Sequence, residues 1–316
     1  MTAITLQEYV KGVTNPVQRF VINEFLESRV FQVLPFLNVQ GGGYFYDLTS
    51  QLPGVGFRGI NENYTSAPGV MNPQSEALKL FGGDIKTDVA LVDRYGQGRR
   101  STEVQMAIMA ARLEFEKTFF KGDSALQPRE FDGLQKRIVG GQLITNGSDG
   151  TGNALSINSL KEAIDQVKAG TGRKLLFCND SVVRRLESYY EGTANGMLRY
   201  TTNELGDPIM EYRGCEIVKI QDDELGNAIL PFTETSPDGT STTNNTSVYI
   251  ARFGETLCTG IQGPSNGVGG IYAEDFGRID SEPKYLTRVQ WDCGLVVANG
   301  RSVSRLYGIQ DAPATA

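Results

Sequence analysis

The chain has 316 residues, 40% of them hydrophobic and 21% charged, a composition that suits one large globular domain or two and buries roughly three quarters of the unfolded surface. Lys and Arg number 30 against 37 Asp and Glu, a formal charge of -7, so no general basic field attracts phosphates and a nucleic-acid reader is disfavoured. There is no histidine, which removes Ser-His-Asp and Cys-His catalysis, His-containing zinc sites and the commonest near-neutral general base.

In chain order, TLQEYVKGV opens the sequence and a helix is predicted from Pro16 to about Leu34. Asn15 caps it, Pro16 suits the first turn, Val17, Phe20, Val21, Phe25, Val30, Val33 and Leu34 supply apolar rows, and Pro35 ends it. The first dozen residues have little apolar content and are expected to be mobile or laid over something else. From Gly41 to about Val89 the chain is rich in Gly, Pro, Asn and Ser. YFYDL and ALKLF read as strands framing about thirty residues of turn chemistry, a length that compact domains rarely carry without a purpose. A disordered insertion is one reading. Tyr44, Phe45, Tyr46, Phe57, Ile60 and Tyr64 are too apolar for a solvated tail, and a hairpin unable to bury them alone seeks a partner surface.

Ser101 to Gly122 is the strongest helical signal. Val104, Ile108, Ala111, Phe115 and Phe119 recur on one face, with Met106, Met109, Leu113 and Phe120 in a second row. Two apolar rows predict a helix gripped from more than one side, stopped by Gly122 and Asp123. Beyond Phe131 to Leu134 (FDGL) the pattern is α/β. Ser159 to Glu162 reads as a capping box, with Leu160, Ala163, Ile164 and Val167 buried and Gly170 closing that helix. A strand at Lys174–Asn179, a helix capped by Asp180, and a strand at Tyr212–Ile220 follow. Pro231 to Thr246 is a loop of turn formers with a flexible tip. Ser247–Phe253 and Thr256–Gln262 read as a hairpin around Gly254 and Glu255. Long strands cover Tyr285 to Trp291, Gly294 to Ala298 and Val303 to Ile309, and leave about ten mobile residues at the end.

No catalytic constellation survives inspection. Gly96 to Arg100 (GQGRR) can in principle cradle a phosphate at a helix start, but no strand-glycine-lysine pattern accompanies it, and a turn before a basic helix start is the simpler reading. Asp222, Asp223 and Glu224 can in principle hold a hard cation or form a solvated strand end. Asp47, Asp84, Asp88 and Asp93 have no spacing that identifies an acid and base pair. Cys178, Cys215, Cys258 and Cys293 contain no C-x-x-C and read as small buried hydrophobes. No cofactor or metal is expected. No membrane span or secretory signal is found, and the protein is expected to be made and kept in the cytoplasm.

A long helix with the Glu103-x-Gln105 start and a run of small residues, then Phe119-Phe120-Lys121-Gly122-Asp123 and Phe131-Asp132-Gly133-Leu134, resembles the major capsid proteins of tailed bacteriophages, which have the Hong Kong 97-type fold. The resemblance implies an α+β chain with an N-terminal arm (1–40), an extended E-loop (41–89), and a peripheral P domain with the long spine helix (90–140). An α/β axial A domain (141–262), P-domain strands (263–290) and closing A-domain strands (291–316) complete it. Val104, Ile108, Ala111, Phe115 and Phe119 are then the spine-helix core, and Phe57, Arg58, Ile60 and Tyr64 the intersubunit E-loop. The implied function is self-assembly as hexamers and pentamers into an icosahedral head around double-stranded DNA, bound without sequence preference. A portal and a decoration protein are further implied partners, with no membrane. The first residues lie close to the arm, so a separate scaffolding protein is expected. Gln51 to Leu78 contains no lysine, so the covalent E-loop cross-link of some relatives is not expected. Encapsulin nanocompartments, whose shells package enzymes, share the fold and remain the alternative. A soluble enzyme with an unfamiliar site is the third.

Overall fold

The computed structural model describes residues 3–64, 67–147, 150–191, 198–202, 208–220, 226, 228–239, 244–265 and 268–315. β1 (Ile4–Thr5) and α1 (Leu6–Tyr9) lead to α2 (Pro16–Phe25), which Asn15 caps through the amides of Val17 and Gln18. The predicted helix to Leu34 is broken. Ser28 accepts a hydrogen bond from the Val30 amide and starts a second helix, α3 (Arg29–Val33), because a side chain that bonds the backbone locally competes with helix continuation. The opening residues are laid over the chain's own body: β1 pairs with β2 (Pro35–Asn38), and Leu6 is fully buried.

β3 (Gly43–Gln51) and β4 (Val70–Ala77) form an antiparallel hairpin, while β5 (Lys79–Asp88) joins a different sheet, so the expected ALKLF strand is divided at Leu78. α4 (Val89–Tyr95), capped by Asp88, precedes α5 (Gln97–Lys121), 25 residues long and begun earlier than the apolar rows indicate. Then come α6 (Leu134–Arg137), β6 (Leu143–Thr145), β7 (Asn153–Ser156), α7 (Ile157–Gln166), β8 (Lys174–Asn179) and α8 (Asp180–Glu191). Two caps move from their expected places. Ser156, not Ser159, caps α7, and Asn179, not Asp180, accepts the Val182 amide of α8. α7 also ends at Gln166, before Gly170. The expected Tyr212–Ile220 strand is divided: β10 (Pro208–Tyr212) and β11 (Cys215–Ile220) form a hairpin turned at Arg213 and Gly214, both with positive φ, and β9 (Leu198–Thr202) pairs with the other edge of β10.

β12 (Asn245–Ala251) and β13 (Cys258–Gln262) do not pair as the expected hairpin. Every residue of both is buried, and strands covered on both faces take two neighbours each: β12 lies between β18 and β8, β13 between β2 and β17. β14 (Pro264–Ser265), β15 (Val268–Gly269), β16 (Tyr272–Arg278), β17 (Lys284–Val297) and β18 (Val303–Thr315) end the chain. β17 is continuous across residue 290, so the expected division there falls inside one strand. β18 runs to Thr315 in place of a mobile tail, because its end pairs with β7. One sheet has the order β1-β2-β13-β17-β16 with β5 also on β17; the other has β6-β18-β12-β8-β11-β10-β9 with β7 also on β18.

α5 is the shared wall between the two sheets. Ile108, Phe115, Phe119 and Phe120 are buried in one core with residues of both. Phe115 stacks on Trp291 of β17 at 5.0 Å between centroids and 20° between planes, and Phe36 and Phe31 pack on the same indole. Five residues on, Phe120 meets Phe177 of β8 and Tyr249 of β12 at 5.6 and 5.3 Å. Val104, Ala111 and Leu113 are half-buried, but Met106 of the second row is exposed, so the grip tightens toward the C-terminal half.

The glycine motif after α5 has a steric cause. Gly122 ends the helix with φ -54°, outside the left-handed region, so its conformation does not require glycine. Its space does: a Cβ on Gly122 would lie 2.4 Å from the Phe131 carbonyl oxygen, and one on Gly133 2.5 Å from that of Thr118. The Gly133 amide donates to the Gly122 carbonyl, the Ser124 amide to Asp132, and Lys136 pairs with Asp123 and Asp132. The Lys136 hydrogen bond holds the Asp123 carboxyl below its usual range. Arg305 of β18, between the rings of Tyr249 and Tyr307, donates to Glu234, which faces Lys121 at the helix end.

Candidate interaction surface

The hairpin of β3 and β4 leaves the body from an anchored base. Tyr44 and Tyr46 stack on each other and, with Leu78, pack on a small cluster of Leu37, Val39, Ile261 and Val296. The Leu78 amide donates to the Gly42 carbonyl across the neck. Arg137, just after the FDGL turn, grips Glu76 with two parallel hydrogen bonds of 2.5 and 2.9 Å, the bidentate geometry that also fixes direction. Burial, then the Glu76 carboxylate, pushes the Tyr46 phenol above its ordinary value. The base is therefore part of the body.

Beyond Leu48 the character inverts. The register runs from Gly43 opposite Ala77 to Gln51 opposite Val70, with an irregularity between Thr49 and Gln51, and Gly54 then bridges to Ala67. The segment presents Leu52, Val55, Phe57, Ile60, Tyr64 and Met71 to solvent, with Val55 and Ile60 each 94% exposed and Phe57 109%. Isolated surface apolar residues are ordinary, but a run on one projecting element marks an interaction site. The tip is closed on itself. Arg58 lies 5.0 Å from the Tyr64 ring centroid and donates to the Glu62 carbonyl, and the Gly59 amide donates to the Glu62 carboxylate. Arg58 and Tyr64 thus shape the tip, while Val55, Phe57 and Ile60 are its free apolar groups.

The structure disperses the other groups singled out by sequence. Asp84 is clamped by Arg288, whose hydrogen bond holds its carboxyl below the usual range, and Asp88 caps α4. Arg99 pairs with Glu103, and Arg100 with Asp275. Asp222, Asp223 and Glu224, and residues 240–243 of the expected flexible tip, lie outside the described residues. All four cysteines are free and buried; burial pushes the Cys215 and Cys258 thiols up to about 11 and about 12, away from thiolate chemistry. Among the described residues no cluster of three or more His, Cys, Asp and Glu is placed to hold a metal, and no helix is long and apolar enough to cross a membrane. Sequence reading missed the Arg137–Glu76 clamp, because two residues so far apart carry no shared signal.

Residues 87–215, which hold α4, α5 and the first half of the second sheet, match the family model of the SU10 major capsid protein. No curated protein sequence matches the chain. Among solved structures, the holo-SrpI encapsulin complex of Synechococcus elongatus PCC 7942 is similar over 98% of this chain and 96% of its own, with TM-score 0.63 and 14% identity. The capsid of the native GTA particle is similar over 89% of each chain (TM-score 0.59, 14% identity), and a structure from Mycobacterium phage Bobi over 92% and 91% (TM-score 0.56, 13% identity). The resemblance to tailed-phage major capsid proteins therefore holds: residues 87–215 match the model of the SU10 major capsid protein, and the chain shares the Hong Kong 97-type fold over 89–98% of its length.

Proposed function

We propose that the chain is the major capsid protein of a tailed bacteriophage and that the hairpin of residues 43–77 is its E-loop, the clasp by which each subunit holds a neighbour in hexamers and pentamers of an icosahedral head. The observation that carries the clasp is the contrast along the hairpin itself. Its base is fixed by Tyr44, Tyr46 and the Arg137–Glu76 pair, while Val55, Phe57 and Ile60 at its tip stand in solvent. A chain alone has no reason to hold these groups out in water; a neighbouring copy covers them. Obligate interfaces of this kind bury about 2,000 to 5,000 Å² or more. In this reading the protein is structural and not an enzyme, its place is the virion, and its assembly takes place in the host cytoplasm. A portal completes the head, and a decoration protein is a further candidate partner. The packaged double-stranded DNA is touched weakly and without sequence preference, in keeping with a net charge of -7.

The encapsulin reading keeps one specific support, the similarity to the SrpI encapsulin over nearly both whole chains. Negative-stain microscopy of the shells, with nuclease digestion and a stained gel of their contents, separates the two. DNA-packaging heads, or empty shells that take up no second protein, are expected; shells that retain one stoichiometric cargo enzyme would favour the encapsulin reading. A homogeneous small oligomer, with no shells under any condition, would remove both.

A further inference from the structure

Glu116 is the outlier among the charged groups of α5. It is only 7% exposed, and among the described residues no Lys or Arg forms an ion pair with it. It sits where α5 passes the corner between α2 and α3. Ser28, whose hydroxyl oxygen already accepts the Val30 amide as the cap of α3, lines the same pocket as the carboxyl. A hydroxyl has one proton to give, so Ser28 offers a carboxylate a single donor.

The charges around the corner are engaged elsewhere. On α5, Arg112 donates to the Glu24 carbonyl and pairs with Glu27 at the end of α2. On α3, Arg29 is held by Glu216 of β11 and by Gln32, and Arg173 closes on the same Glu216. On β11, Lys219 pairs with Glu187 of α8. A pocket of about 260 Å³, lined by Glu27, Ser28, Arg29, Arg112, Glu116 and Lys219 among others, opens beside the carboxyl. The pocket gives water a route to Glu116 at the corner.

We propose that this corner is a proton-operated latch, in which protonated Glu116 seats the α2–α3 pair firmly on α5 and ionised Glu116 admits water through the adjoining pocket and loosens it. A neutral carboxylic acid is satisfied by few partners, whereas a carboxylate buried with a single hydroxyl donor costs far more. Burial raises the Glu116 carboxyl above the ordinary glutamate range, against the opposing effects of the Ser28 hydroxyl and the Arg112 charge. The folded corner therefore binds the proton more tightly than the unfolded chain does. Its stabilisation is present in full below the unfolded carboxyl's pKa and is lost as pH rises through the raised one. The latch concerns one subunit's own packing and does not depend on shell formation.

Hydrogen exchange of the purified full chain at pH 5 and pH 8, corrected for the intrinsic pH dependence of exchange, tests this. Peptides covering residues 24–34 are expected to exchange severalfold more slowly at pH 5, with little change in β8, β12 and β18. Glu116→Gln, a neutral isostere, is expected to exchange slowly at both values. A wild type without a local difference, a difference spread evenly over the chain, or a Glu116→Gln protein that keeps the wild-type pH dependence would overturn the proposal. So would loss of that dependence in Glu27→Gln, which would place the responsive proton on the wrong carboxyl.

Discussion

α5 and the hairpin of residues 43–77 are both rich in large apolar side chains, and they use them in opposite ways. On α5 the phenylalanines turn inward and are completed within the chain: Phe115 against Trp291, Phe119 and Phe120 against Phe177. On the hairpin, Val55, Phe57 and Ile60 face solvent beyond a base packed through Tyr44 and Tyr46. Apolar content alone therefore does not separate core from interface. What separates them is whether the same chain supplies the second surface, which it does on α5 and does not at the hairpin tip.

Substitutions divide the two regions. The largest effect is expected from Ile108→Asp, which places an unpaired carboxylate in the shared wall and costs several kcal/mol, a large part of the roughly 5 to 15 that hold a domain together. Insoluble product or loss of the cooperative melt would be observed; a soluble, normally melting Ile108→Asp protein would show that α5 is not the core element. A smaller loss, about 1 to 3 kcal/mol, is expected for Gly133→Ala, since the added methyl meets the Thr118 and Gly122 backbone in a filled space. Chemical denaturation checks it, and an unchanged midpoint would mean that the two glycines are not packed back to back. The smallest effect on stability is expected from the double change Phe57→Ser and Ile60→Ser, within about 0.5 kcal/mol because neither residue has contacts to lose within the subunit. The same protein should assemble poorly. A clear drop in its melting temperature would move these residues into the subunit's own core.

The comparison also explains what the sequence made legible. α5 was readable because a helix in a core must repeat its apolar residues at helical spacing, and Gly122 was readable as its stop, whereas the backbone crowding that requires glycine at Gly122 and Gly133 appears only in the fold. The turn-rich, apolar composition of residues 41–89 pointed to an exposed hairpin for the same physical reason that it now stands in solvent. Partners distant in sequence left no such trace. β12 and β13 looked like a hairpin because two strand-like runs flank the turn formers Gly254 and Glu255, yet each is a central strand of a different sheet. The opening residues read as mobile or laid over something else, and the second holds: Leu6 enters the core with Tyr9, Val10 and Val13 packed against it, and Gln18 ties the neighbouring segment down by donating to the Ile271 carbonyl. The cap at Ser156 was hidden behind the better-looking Ser159, because local pattern cannot tell which of two serines precedes the first helical turn.

The central claim is that the hairpin is a clasp between subunits and not a part of one subunit's fold. Replacing residues 53–73 by a short glycine-serine turn tests it most directly, since shortening a loop changes closure entropy little and the base at Tyr44, Tyr46 and Glu76 remains in place. The account predicts a protein that expresses, melts cooperatively close to the wild-type temperature, and forms no closed shells by electron microscopy. Normal heads from the deletion, or an insoluble product from it, would contradict the account.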